Sequence, residues 1–250
     1  MELLFSRADV RGVAYNADYP HQVSIAEGDT AAFEALCRFD HVGAIYKNNH
    51  RSRKNFIRAN VLMMDCDNDG SEDPAAWLIP DTITARYPDL IFYAVPSKSH
   101  MKEKRNGQTD KYFSPRPRHH YYYPLSCEIL SESDLSALKE KFLALFPQFD
   151  DGAKDSARFF YGVEDPHATF YPGTKTIDEC LLDVPDPEDK KLNLALYKLL
   201  HAQKREKMFP RQRREGQLPP SQGTTPPHRL SCDSVIPADQ TGEGRRFFVW

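Results

Sequence analysis

Asp65 and Asp67 close an apolar run, Val61-Leu62-Met63-Met64, and Asp69 follows two residues later. On a β-strand successive side chains alternate faces, so Asp65 and Asp67 point the same way, about 7 Å apart along the backbone. Carboxylates crowded at the mouth of a buried strand repel one another and lose hydration. Each ion costs several kcal/mol unless a positive group compensates. A divalent cation would do so: Mg²⁺ is commonly held by one or two carboxylates together with substrate phosphates. A solvated acidic turn would show the same residues with no chemistry attached. A calcium loop is a third reading, since DCDNDG begins like an EF-hand. The twelfth position of such a loop should be a bidentate Glu, however, and here it is Ala76, after a strand rather than a helix. Calcium is rejected.

Two later segments carry matching chemistry. Arg116, Arg118, His119 and His120 lead into Tyr121, Tyr122 and Tyr123. Guanidinium groups and imidazoles bind anionic oxygens, but neighbouring strand residues face opposite sides, so only one His can share a site with the acids. Lys98, Lys102, Lys104, Arg105 and Lys111 make the preceding loop strongly basic, which alone describes a solvated charged loop. Further on, QFDDGAKDSARFFYG gathers Asp150, Asp151, Asp155 and Arg158. A third carboxylate from a distant segment is what nucleotidyl transfer with two ions about 4 Å apart requires.

The elements around these residues follow from pattern. VLMMDCD, DLIFYAV (89–95), HHYYYPL (119–125) and SARFFYGV (156–163) have strand length and composition. DTAAFEALCRF reads as a helix capped by Asp29 or Thr30, and Pro74 is placed to open a helix through AAWLI. SESDLSALKEKFLALF (131–146) spaces Leu135, Leu138, Phe142 and Leu145 as a helix, with Ser131 or Ser133 as cap and Pro147 as stop. Residues 186–209 read as a further helix, acidic at its start and basic at its end. Beyond Pro210 a Pro-, Gln-, Arg- and Ser-rich stretch, 210–250, reads as a flexible tail or linker. Interleaved strands and helices predict an α/β or α+β catalytic domain over 1–185.

With 250 residues, 40% apolar and 12% aromatic, the chain can bury a sizeable core and is not disordered. A net charge of −3 excludes a uniformly basic surface but leaves room for a local basic groove. Its five cysteines form no CxxC pair, so neither a disulfide framework nor a zinc ribbon is indicated. MELLFSRADVRG lacks the apolar core of a signal peptide, and no apolar run reaches the roughly 18 residues of a membrane span. A soluble cytoplasmic protein with no membrane partner is expected.

Taken together, the segments resemble the catalytic core of the archaeo-eukaryotic primase (primase-polymerase) superfamily, in the branch found with phage and mobile-element replication proteins. NHRSRKNFIRANVLMMDCDND resembles the first motif, a hydrophobic strand ending in D-x-D. SKSHMKEK with SPRPRHHYYYPL resembles the second-motif region, whose strand His contacts the triphosphate of the incoming nucleotide. FDDGAKDSARFFYG resembles the third motif, and the likeness spans about residues 45–165. The resemblance implies an α+β fold with an RRM-like antiparallel sheet backed by helices, plus a small N-terminal α/β unit. It implies template-directed primer synthesis from NTPs or dNTPs on single-stranded DNA, with Mg²⁺ or Mn²⁺ in a two-metal site.

Carried onto this chain, Asp65, Asp67 and Asp150 are the implied metal ligands, with Asp151 as the alternative third. His120 fits the family His better than His119. Arg51, Ser99, His100, Arg116, Arg118, His119 and Arg158 are implied nucleotide or template contacts, although Arg158 could instead pair with Asp155. Many relatives carry a zinc-binding insert, but no Cys/His cluster for one is visible, so no structural zinc is expected. A replicative helicase is a further implied partner. Two rivals stand beside this reading. A rolling-circle relaxase would use a Tyr nucleophile and a His-x-His metal pair, yet these His are adjacent. A catalytically inactive single-stranded-DNA-binding module would use the basic loop and aromatic strands, yet carboxylates repel a DNA backbone unless metal intervenes.

Overall fold

The computed structural model describes residues 1–105 and 110–182. Both the helix read over 186–209 and the tail 210–250 lie outside the described residues.

Three antiparallel strands open the chain: β1 (Glu2–Arg7) pairs with both β2 (His21–Ala26) and β3 (His41–Val42). Between them lies α1 (Thr30–Cys37), whose N-cap Asp29 accepts a hydrogen bond from the Ala32 N–H at 3.0 Å. The second sheet has five strands. Its members are β4 (Ile45–Tyr46), β5 (Phe56–Cys66), β6 (Phe92–Pro96), β9 (His119–Ile129) and β10 (Thr169–Tyr171), in the order β10-β6-β9-β5-β4 and antiparallel throughout. Outside both sheets, β7 (Lys104–Arg105) pairs, among the described residues, only with β8 (Tyr112–Phe113).

The class is α+β with antiparallel sheets. β9 lies between β5 and β6, and α2 (Pro80–Arg86) connects those two, a split β-α-β unit. After β9, α3 (Glu132–Leu145) leads on to β10, which joins the β6 edge. An RRM sheet puts its fourth strand beside its first, which here would be β5. The antiparallel, helix-backed sheet is present, therefore, and its strand order is not that of an RRM.

Period-two alternation explains how β5 and β9 are covered on both faces. Leu62, Met64, Tyr121 and Tyr123 face one way and pack with Ile83 of α2 and Leu135, Leu138 and Phe142 of α3. Val61, Met63, Tyr93 and Tyr122 face the other way and pack with Leu3, Phe5, Phe33 and Leu36 of the N-terminal unit. A strand buried on both faces needs apolar residues at consecutive positions, hence VLMM and the three tyrosines. Each such large side chain, fully buried, contributes roughly 1.5–3 kcal/mol. Asn60 ties the layers together: its amide donates to the Glu2 carbonyl at 2.7 Å and its oxygen accepts from the Leu4 N–H at 2.9 Å.

Two sequence expectations shift and one open alternative is resolved. Pro74 opens only one 3₁₀ turn, Pro74–Ala76, and the α-helix begins later at Pro80, where the Thr82 hydroxyl accepts from the Ile79 N–H at 3.0 Å. Segment 156–163 is not a strand of the main sheet. Phe160 makes an isolated antiparallel bridge to His41, and the fourth strand of the βαββαβ series is Thr169–Tyr171. Capping at α3 falls to Ser131, whose hydroxyl accepts from the Asp134 N–H.

The bridge of 160 to 41 is reinforced by Asp40, fully buried, whose Oδ1 accepts from the Gly12 and Gly162 N–H groups, both at 2.8 Å. Gly162 itself has no room for a side chain, since a Cβ there would fall 2.5 Å from the Arg38 carbonyl oxygen.

Candidate functional site

Register decides which residues meet at the end of β5. Asp65 is paired with His120 and Cys66 with His119 across the β5–β9 ladder. His120 therefore emerges on the face of Asp65, toward the N-terminal unit, and His119 on the face of Tyr121. The His120 ring stacks on Phe160, centroids 4.1 Å apart, and its Nε2 lies 4.0 Å from Asp65 Oδ1. His119 instead meets the edge of His100, with ring centroids 4.6 Å apart.

The 150s segment docks by its backbone. The Asp150 N–H donates to the Asp65 carbonyl at 2.8 Å, and the Asp150 side chain caps the short turn Asp151–Lys154 through the Gly152 N–H at 2.9 Å. Arg158 then lies between two acids: one guanidinium nitrogen is 3.5 Å from Asp150 and 3.9 Å from Asp65. Asp151 is exposed and pairs with Lys154. Of the two doubled acids, Asp150 is the one beside Asp65. Asp155 does not take Arg158; its carboxylate accepts from the Ala157 N–H at 3.0 Å.

Asp67 is held from the other side. Lys104 of β7 pairs with it and with Asp69, the latter at 3.1 Å. Arg118, fully buried, lies 3.2 Å from Asp69 and 3.8 Å from Asp67, and its remaining reach goes to the Ser99 and Lys102 carbonyls at 3.0 and 2.9 Å. Ser99 thus enters through its carbonyl. His100 Nδ1 faces the Arg118 backbone, 3.2 Å from its N–H. Arg116 is fully buried too, and all its donors are committed, to Asn68, Ser71, Ser114 and Glu72. It braces the turn after the acids and turns no nitrogen toward Asp65. Arg51 sits over Phe159, 4.4 Å to the ring centroid, and donates to the Ala157 carbonyl at 2.7 Å, which steadies the approach to Arg158.

The electrostatics are uneven. Burial, reinforced by the Asp67 carboxylate, pushes Asp65 up to about 7 in spite of Arg158. Its Oδ1 is buried with no hydrogen-bond partner among the described residues. His120 is pushed down to about 3 by burial, with His41 and Arg158 adding to the shift, so its ring is neutral at ordinary pH. His119 falls to about 4 by burial and the neighbouring His100.

Among the described residues no three His, Cys, Asp or Glu side chains are grouped so as to hold a metal ion. The acids named from the sequence stand interleaved with three cations, Lys104, Arg118 and Arg158. In donor type they fit a hard divalent cation, being oxygen ligands only, and the orphaned Asp65 Oδ1 is an atom such an ion would satisfy.

Sequence reading passed over three participants. Lys104 was one charge in a basic loop, and nothing in its spacing tied it to Asp67. Phe160, beneath His120, was assigned to a strand that does not form. Buried His41 holds the Tyr122 hydroxyl at 2.7 Å and lies behind Phe160, ring centroids 6.2 Å apart. No helix of the described residues is long and apolar enough to cross a membrane. Comparison with protein-family models, curated proteins and solved structures finds no match to this chain.

Proposed function

We propose that the chain is a divalent-metal-dependent nucleotidyltransferase, a DNA primase-polymerase making primers from NTPs or dNTPs on single-stranded DNA. The observation that carries this reading is the convergence at one strand end. Asp65 faces His120 across the ladder, Asp150 docks on the Asp65 backbone, and Arg158 spans both acids.

Asp65, Asp67 and Asp150 are the residues that would hold Mg²⁺ or Mn²⁺, which when bound would activate the primer hydroxyl and neutralise phosphate charge. The chain's own groups do the rest. His120, neutral and fixed by its stack on Phe160, offers an N–H to a phosphate oxygen without adding charge. Arg158, two-fifths exposed, can pass from Asp150 to an anionic ligand. The basic residues Lys98, Lys102 and Arg105 belong to the same segment as Lys104 and would suit a nucleic-acid backbone. A replicative helicase partner and a cytoplasmic setting belong to this proposal as well. The relaxase alternative asks for an accessible tyrosine, and Tyr121, Tyr122 and Tyr123 are all fully buried.

Purified chain, unprimed single-stranded DNA, labelled NTPs or dNTPs, and Mg²⁺ or Mn²⁺ test the reading. Metal-dependent oligonucleotides are expected, and lost in Asp65→Ala and Asp67→Ala with the fold retained. Undiminished synthesis by both variants sinks the metal assignment. DNA cleavage would favour the relaxase, and tight metal-independent DNA binding without synthesis the inactive module.

A further inference from the structure

The acids after β5 are neutralised by two cations of different character. Arg118 is fully buried and anchored to the Ser99 and Lys102 carbonyls as well as to Asp69, so it is part of the frame. Lys104 is about one-third exposed, and its strand belongs to a two-stranded hairpin outside both main sheets. Its ammonium nonetheless touches Asp67 and Asp69 together. An ammonium on a four-carbon stem is a movable point charge, able to pair with carboxylate or phosphate oxygens alike. A divalent ion on Asp67 would carry twice its charge to the same oxygens and must contend with it.

We propose that Lys104 is an exchangeable counter-ion: it neutralises Asp67 and Asp69 in the metal-free chain, is displaced by a divalent cation, and then pairs with the polyphosphate that arrives with the metal. This rests on the reading of the acids as a metal-dependent nucleotidyl-transfer site, and adds to it a residue that couples metal occupancy to phosphate binding. Its signature is a crossing of affinities. Removing the ammonium helps the metal alone, because a competitor is gone. The same change harms metal with polyphosphate, because a phosphate partner is gone.

The test is Mn²⁺ binding by the full chain, followed by electron paramagnetic resonance of the free ion, with and without inorganic tripolyphosphate. Lys104→Ala should bind Mn²⁺ alone about three- to tenfold more tightly than the unaltered chain, and Mn²⁺ with tripolyphosphate more weakly by a similar factor. Lys104→Arg, which keeps the charge, should stay near the unaltered chain in both titrations. Circular dichroism of each variant checks that the fold is retained. Equal affinities for Lys104→Ala and the unaltered chain, with Asp67→Asn weakening Mn²⁺, overturn the role of Lys104 and leave the metal site standing. No Mn²⁺ binding by either chain overturns both.

Discussion

Asp65 and His120 are direct cross-strand partners, and their side chains emerge on one face with Oδ1 and Nε2 4.0 Å apart. A one-residue slip of β9 would bring His119 to that position and turn every tyrosine of the strand to the wrong layer. The tyrosines thus hold the histidine in place: Tyr121 and Tyr123 belong to the helix-backed core and Tyr122 to the N-terminal one.

Replacing these histidines separates the two faces. His120→Gln should lower nucleotide incorporation on the order of 10²-fold, the usual weight of a hydrogen-bonding group at a reacting centre. His119→Gln should change it far less, while costing some stability against His100. Steady-state incorporation with each variant measures this. A larger loss for His119→Gln would mean that the catalytic face has been misassigned.

Asp65 gives the fold an unusual pH dependence. Its folded value of about 7 stands above its ordinary one near 3.8, so between those values the folded state keeps a proton that the unfolded state has released. Stability from this group is therefore lost as pH rises through that window. In EDTA, Asp65→Asn should be the more stable protein at pH 8, on the order of a few kcal/mol, and the gap should close near pH 4. Urea melts at the two pH values read it. Mn²⁺ should raise the melting temperature of the unaltered chain and not that of Asp65→Asn.

Three imidazoles pull the opposite way. Burial pushes His41 and His119 down to about 4 and His120 to about 3, all below the ordinary 6.5. As pH falls from 6.5 toward 4 the unfolded chain takes up three protons that the folded chain refuses, so stability drops. These three groups outnumber the single carboxyl of Asp65 in the shared window. Denaturant midpoints should decline steadily from pH 6.5 to 4.5, and His41→Gln should shallow that decline.

Arg118 is a structural cation, and its loss should unfold rather than merely inactivate. Arg118→Met would strand the Ser99 and Lys102 carbonyls and leave Asp69 short of a partner. A cost of about 3–5 kcal/mol is expected, as when one member of a buried ion pair is removed. Chemical denaturation gives the value. Stability within about 1 kcal/mol of the unaltered chain would refute the assignment.

Much of this arrangement is legible in the chain. Asp29 and Ser131 cap the helices they precede, and VLMMDC and HHYYYPL are strands because consecutive apolar residues suit a layer covered on both sides. What could not be read was set by distant contacts. RFFY has the composition of a strand, yet among the described residues Phe160 makes a single bridge, to His41. Trp77-Leu78-Ile79 has helical composition, but the Asn68 side chain takes the Leu78 N–H at 2.8 Å and Trp77 donates to the Ser71 carbonyl at 2.9 Å, which holds the chain extended there. Lys104 reaches Asp67 across 37 positions of sequence, a pairing no local pattern encodes.

The clasp of Asp40 and His41 on Gly162 and Phe160 sets the order in which the site can come into being. The Gly162 N–H bond to Asp40 spans 122 residues, whereas the β9 ladder needs far shorter loops. Contacts of such separation close late, because chain entropy must be lost before they repay it. The five-stranded sheet can acquire its central strands, with Asp65 facing His120, before Arg158 and Phe160 dock against them. Until the clasp closes, the acids of β5 stand beside His120 without their arginine, and Phe160 is not yet beneath the His120 ring.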